Sequence, residues 1–143
     1  MLFRTRGTTL LELLVVLGLL SVVLGTVSPR LSEVLAGVEL RSGAWRLSSA
    51  LMRARFGALA HGNIWSVAVT DPSAFEVGSV AGVERISLPG RVRFLRATSG
   101  GEVRFRPNGG AENATFTLGH GARTRAVVVN QRGRVSVGGE RAR

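Results

Sequence analysis

The chain has no cysteine and no lysine. Without cysteine there are no disulfides, no thiolate metal ligands and no cysteine nucleophile. The compartment stays open, because exported proteins also do without cysteine. Without lysine, all 19 basic side chains are arginine, set against 9 acidic ones, and the formal net charge is +10. A compositional preference for arginine gives this pattern, and so does selection for an anionic partner such as nucleic acid or a membrane surface. Histidine is scarce as well. His61 and His120 lie far apart with no ligand spacing around them, and both read as surface residues. Gly-x-Ser-x-Gly, the P-loop and His-Glu-x-x-His are all missing. Past Glu12 the acids are scattered singly, so paired-carboxylate chemistry has no centre. Residues 78–82, Gly-Ser-Val-Ala-Gly, do not sit in the strand-to-helix setting of a phosphate loop. The expectation is a protein that is not an enzyme and needs no cofactor or metal.

What is present is apolar and ordered in blocks. Of 143 residues, 45% are hydrophobic, enough for one packed domain and an appendage. Residues 10–27 form an apolar run with Glu12 as its only charge. At about 1.5 Å per residue that run spans roughly 27 Å, close to a bilayer core. It is longer than the apolar part of a secretory signal, and Gly25-Thr26-Val27 is a poor cleavage site for one. Arg4 and Arg6 precede the run and favour a cytoplasmic N-terminus.

Helical spacing continues beyond Pro29, where a kink is expected. Leu40, Ala44, Leu47, Leu51, Ala54 and Ala58 alternate steps of four and three and draw one apolar stripe. His61-Gly62-Asn63 is a helix stop. The spacing therefore predicts one helix over residues 8–61. Its second half needs a surface to cover. After Asn63 the period changes to two, and strands are expected at 64–70, 83–88, 91–95, 102–106, 114–118, 125–129 and 134–137. Asp71-Pro72 reads as a turn, and Asn130 to Gly133 as the hairpin between the last two strands. Residues 138–143 have nothing to bury and read as a mobile basic tail. The fold class is α+β, a long N-terminal helix packed on a C-terminal antiparallel β domain.

Gly7-Thr8-Thr9-Leu10-Leu11-Glu12, with the apolar helix that follows and Pro29, resembles the class III signal of type IV pilins and pseudopilins. In that family a short basic leader ends in Gly, a membrane peptidase cuts after it, and Glu stands fifth in the mature chain. The resemblance implies a leader at 1–7, a mature start at Thr8 and the family's assembly glutamate at Glu12. It divides the rest into a transmembrane and filament-core helix at 8–28, an amphipathic helix half at 29–61 and a β domain at 62–137. It implies residence in the inner membrane as a single pass, with the N-terminus cytoplasmic, the β domain extracytoplasmic, and assembly into a pilus or pseudopilus. Its partners would be other pilins, the prepilin peptidase and the membrane. The family usually has Phe or Met where Thr8 stands, a departure that bears on N-methylation of the new terminus.

Physics gives the lone acid a role. An unpaired carboxylate in a bilayer costs about 2.5–3.5 kcal/mol even on the milder scales. A new Thr8 ammonium lies one helical turn from Glu12 in the same chain, and a neighbour's ammonium is the other available partner. The second pairing also sets axial register.

The C-terminal half resembles the minor-pilin branch called GspH/FimT, on Phe105, Pro107, Gly109, Phe116, Leu118, the valines at 127–129, Gly133 and Arg134. The resemblance implies a minor subunit of a type IV pilus or a type II secretion pseudopilus. Some FimT-like members bind DNA during uptake through a Gly-Arg-x-Arg hairpin. Here that place reads Gly133-Arg134-Val135-Ser136, so the match reaches Arg134 only, with Arg132 across the turn as a substitute. Arg91 with Arg93, Arg104 with Arg106, Arg123 with Arg125, and Arg132 with Arg134 are each spaced by two, which in a strand puts both on one face. Arg91, Arg93, Arg104, Arg106, Arg132 and Arg134 are thus the candidate phosphate contacts. A solvated outer face gives the same Arg-x-Arg pattern wherever the outward residue is arginine.

Processing is directly checkable. Cleavage is expected between Gly7 and Thr8, and Gly7→Trp is expected to block it. Intact-mass measurement of the membrane-borne chain reads both, and a mature chain that starts elsewhere removes the leader assignment.

Overall fold

The computed structural model describes residues 9–142, with side chains described throughout that range except at 26–31 and 142. Gly7 and Thr8 lie outside the described residues, as does Arg143. One helix, α1, runs Leu10–His61 without a break, through Pro29. Thr9 caps it: its Oγ1 accepts from the Glu12 N–H at 3.3 Å and its carbonyl from the Leu13 N–H at 3.2 Å. Thr9-x-x-Glu12 is the spacing of a capping box, in which an acid in the first turn also favours the positive end of the helix dipole.

The chain divides into two compact units, with the boundary between Leu35 and Ala36. In the first, every described Leu and Val from Leu10 to Leu24 is 49–78% exposed. No helix among the described residues is long and apolar enough to cross a membrane. The apolar stretch with described side chains covers 10–25 and ends two residues short of the run seen in sequence.

The second unit holds the rest of the helix and nine antiparallel strands. These are β1 (Trp65–Asp71), β2 (Ala74–Ser79), β3 (Gly82–Ser87), β4 (Arg93–Ala97), β5 (Glu102–Phe105), β6 (Ala114–His120), β7 (Arg123–Val129), β8 (Val135–Val137) and β9 (Arg141–Ala142). One sheet has the order β3-β2-β1-β5, the other β4-β6-β7-β8, with β9 also on β7. The predicted helix stripe is buried: Leu40, Ala44, Leu47, Leu51, Ala54 and Ala58 are all fully buried, joined by Ala50. Strand alternation supplies the opposite wall. Phe116 and Leu118 of β6 and Val127 and Val129 of β7 are buried, while Val128 between the last two is 36% exposed. Phe75, Phe94 and Phe116 meet edge to face in sequence, with centroids 6.2 Å apart in each pair.

Several expected elements move. β2 was not foreseen. Its predecessor turn is tighter than a Pro signal suggests, because Asp71 Oδ1 accepts from both the Ser73 N–H at 2.7 Å and the Ser73 hydroxyl at 2.8 Å. The register shift between Val69 and Asp71 then lets β2 turn straight back on β1. β4 starts two residues later than expected, because Val92 N–H closes a turn on the Pro89 carbonyl at 3.2 Å. Arg91 is therefore in a turn, and does not share a strand face with Arg93. Arg132 and Arg134 are likewise turn residues, since β8 begins at Val135. The mobile tail is also a correction for 138–142. Gly138 N–H donates to the Ala126 carbonyl at 2.8 Å, Arg141 and Ala142 pair with β7, and Glu140 holds Arg123 at 2.8 Å.

Candidate assembly surface and arginine sites

The helix of the second unit has an outer face that sequence reasoning left out. Val38, Trp45, Met52, Phe56 and Leu59 are 61%, 65%, 44%, 64% and 45% exposed. Steps of seven, seven, four and three put them in one row, away from the buried stripe. The signal is a second apolar period laid over the first, hidden because Arg46, Ser49 and Arg53 lie between its members. Large apolar side chains exposed along one helix face make it a candidate interaction surface.

Glu12, the candidate assembly residue, is exposed at the start of α1 with its backbone on Thr9. Nothing among the described residues pairs its carboxylate.

The arginines do not form one field. Arg104 lies on β5 in the first sheet and Arg93 on β4 in the second. Arg104 is already engaged: its Nε and Nη2 donate to the two oxygens of Glu102 at 3.0 and 3.1 Å. That fork holds the Glu102 carboxyl below its ordinary range and raises Arg104 above its own, with Glu112 adding a smaller push on Arg104. Arg93 Nη1 donates to the Val92 carbonyl at 3.0 Å. Arg91 contributes its backbone N–H to Glu39 at 3.2 Å. Arg123 and Arg125 both face Glu140, at 2.8 and 3.8 Å.

Arg106 and Arg132 line neighbouring cavities. The loop after β5 docks on the β7–β8 turn through Ala111 N–H to the Gln131 carbonyl at 3.0 Å. Asn130 Oδ1 organises that turn by accepting from the N–H groups of Arg132 and Arg134 at 3.0 and 2.9 Å. Two open cavities adjoin there. One of about 320 Å³ is lined by Asn113, Asn130, Gln131 and Arg132. The other, about 470 Å³, has Arg106, Glu112, Asn113 and Gln131 in its wall. Gly133, at φ 69°, presses on the Gly109 carbonyl so closely that a Cβ has no room, and Arg55 Nε lies 3.1 Å from where that Cβ would be. Arg55 Nε is buried without a hydrogen-bond partner. The helix thus brings a third arginine beneath the turn, one that no strand pattern reveals.

His61 is exposed as expected. His120 is not free on the surface: its side chain is 17% exposed and its Nε2 lies 3.1 Å from Glu39. Among the described residues no cluster of three or more His, Cys, Asp or Glu is arranged to hold a metal.

Residues 43–133, from the helix inside the second unit to the β7–β8 turn, match the family model described as type II transport protein GspH. The chain belongs to the GspH family. Among solved structures it is similar to the type IV minor pilin FimU of Pseudomonas aeruginosa. In one crystal form the TM-score is 0.60 at 20% identity, over 69% of this chain and 87% of that one. In a second form it is 0.58 at 20% identity, over 68% and 91%. No curated protein sequence matches the chain. The fold is therefore that of a pilin-like minor pilin or pseudopilin. The family match begins after residue 42, so Gly7, Thr8 and Glu12 rest on their own motif.

Arg104 gives a measurable consequence of this charge pairing. Glu102 has a depressed folded pKa, so its contribution to stability is present above its ordinary value of 4.5 and is lost as pH falls through the folded value. A carboxyl titration by NMR is expected to show Glu102 below 4.5, and Arg104→Gln to return it toward 4.5. An unchanged midpoint in that variant would mean Arg104 is free for other anions.

Proposed function

We propose that this chain is an assembly subunit, a minor pilin or pseudopilin that enters a type IV pilus or a type II secretion pseudopilus at initiation or at the tip. The observation that carries the reading is the helix of the first unit, whose apolar side chains have no cover of their own and include one carboxylate. Family membership supports assembly with other pilins. In this reading residues 8–28 hold the chain in the inner membrane, prepilin peptidase removes 1–7 on the cytoplasmic side, and the β domain stands outside. Packing of apolar helices then replaces lipid contact, and Glu12 offsets its burial by meeting a neighbour's Thr8 amine. The row from Val38 to Leu59 extends the contact along the domain's helix.

Capping gives Glu12 a rival role, and substitutions separate the two. Thr9→Val removes the cap, worth about 1 kcal/mol, and keeps the carboxylate. Glu12→Val is expected to leave insertion intact and to abolish incorporation into filaments, with Thr9→Val incorporating normally and Phe56→Ser reduced. Sheared-filament immunoblots read this. Equal loss from Thr9→Val and Glu12→Val would assign Glu12 to the helix start alone.

A second reading, DNA capture, draws support from Arg55, Arg106 and Arg132 around the Gly133 turn. Contacts with about three to four phosphates give a log–log salt slope of roughly −2.7 to −3.6 on duplex DNA, without sequence preference. Arg132→Gln with Arg134→Gln is expected to weaken binding, while Arg104→Gln leaves it unchanged. Titration of the full chain against labelled duplex at two salt concentrations checks this. Equal losses, or no binding at low salt, would remove DNA from the account.

A further inference from the structure

The sheet edges are unequally protected. At β5, Ala111 bridges to Phe105 and Arg106 N–H bonds the Gly110 carbonyl at 2.8 Å. At β4, Phe94 N–H bonds the Pro72 carbonyl at 2.7 Å. β8 has three residues. β3 has six, in unbroken register with β2, with no proline and no bulge. The phase of that ladder is fixed by Leu88 N–H on the Ser73 carbonyl at 2.8 Å. Alternation then turns the backbone groups of Glu84 and Ile86 toward β2 and those of Val83, Arg85 and Ser87 outward.

A groove of about 490 Å³ runs beside this edge, lined by Trp45, Arg46, Ser49, Ala50 and Arg53 of the helix and by Glu84 and Ile86. Ala50 and Ile86 make its apolar part, and Trp45 stands at its rim. Arg53 is held by Glu84 at 3.1 Å, both more than half exposed, while Arg46 has no acidic partner among the described residues. The groove is thus apolar with an unspent positive charge.

We infer that the free edge of β3 takes an extended acidic segment of another protein as an added strand, with an apolar side chain over Ile86 and a carboxylate at Arg46. Backbone pairing of this kind supplies affinity, and the alternate side chains supply specificity. A second copy of this chain fits poorly. A two-fold axis centred on Glu84 or Arg85, the registers that pair the most of the strand, sets a like charge directly opposite itself, which destabilises the pair. Trp45 is common to this groove and the exposed helix row, but the pairing runs through the β3 backbone and does not depend on helix packing in a filament.

The test uses the full chain in neutral detergent micelles and a synthetic, end-blocked hexapeptide, Val-Thr-Glu-Thr-Val-Thr, whose valines and glutamate share one face of the strand. Controls are the lysine-for-glutamate peptide and one N-methylated at its pairing amides. Amide exchange is followed by NMR. The acidic peptide is expected to slow exchange at Val83, Arg85 and Ser87 about tenfold when roughly nine-tenths of the sites are filled, since only the open fraction exchanges. Glu84 and Ile86, already bonded to β2, stay as they were, and both control peptides leave all five unchanged. Arg46→Glu, a change at an exposed position, is expected to transfer the preference to the lysine peptide. Equal slowing by acidic and basic peptides, binding that leaves these three amides unprotected, or no slowing at millimolar peptide would overturn the proposal. Slowing that grows with protein concentration and no peptide would also overturn it, in favour of self-pairing.

Discussion

Everything in the second unit depends on one apolar contact, the helix stripe from Leu40 to Ala58 against the inner faces of two sheets. Leu40, Leu47 and Leu51 are fully buried, and each contributes about 1.5–3 kcal/mol relative to exposure. The alanines between them let the helix lie close, so that Val67, Phe105 and Phe116 pack beneath it in one cluster. Once that face is committed, the other faces of the helix are fixed too. The same rotation that buries Leu47 and Leu51 exposes Trp45 and Met52, sets Arg53 against Glu84, and brings Arg55 under the β7–β8 turn. One burial decision therefore places the exposed apolar row, the β3 groove and the third arginine.

This explains what was legible in the sequence and what was not. Periodicity reports one strong face per element, and it reported the buried one correctly at all six predicted helix positions. The second row is read only after the first has been assigned to the core. Strand existence was legible for β1, β3, β4, β5, β6, β7 and β8, where branched or aromatic residues alternate, with β4 displaced by two residues. β2 escaped because Ala74, Gly78 and Ser79 dilute its pattern. β9 escaped because two residues carry no period at all; it is held by Glu140 and by backbone bonds to β7. Arginine spacing was legible but not its meaning. Spacing by two implies a shared face only inside a strand, and Arg91, Arg132 and Arg134 are in turns.

Charge pairing then sorts the arginines more sharply than position does. A guanidinium with a forked carboxylate has its directional hydrogen bonds used, as Arg104 has with Glu102. Arg123 and Arg125 share Glu140, which arrives from the far end of the chain. Arg85 is held by Asp71, whose carboxyl is depressed first by the Ser73 hydrogen bonds and less by Arg85 itself. Among the described residues, the arginines left without an acidic partner include Arg46 by the β3 groove and Arg106, Arg132 and Arg55 near the Gly133 turn. A net charge of +10 is thus not a uniform field. It is a partly compensated surface, and two of its uncompensated places, the β3 groove and the Gly133 turn, lie beside backbone or cavity geometry able to position an anion.

The same logic bears on Glu12. Its carboxylate has no cationic partner among the described residues, and its backbone N–H is satisfied by Thr9. An acid three residues after a capping Thr stabilises an isolated helix start by tenths of a kcal/mol to about 1 kcal/mol. Burial of a charge in an apolar setting costs several times that. If the first turn remains in water, capping suffices as the reason for an acid at this position. If helices pack side by side with this turn inside, capping is too weak, and a cation from another terminus has to make up the difference. In the proposed filament it is the magnitude of the mismatch, rather than the presence of the acid, that argues for Glu12 in assembly.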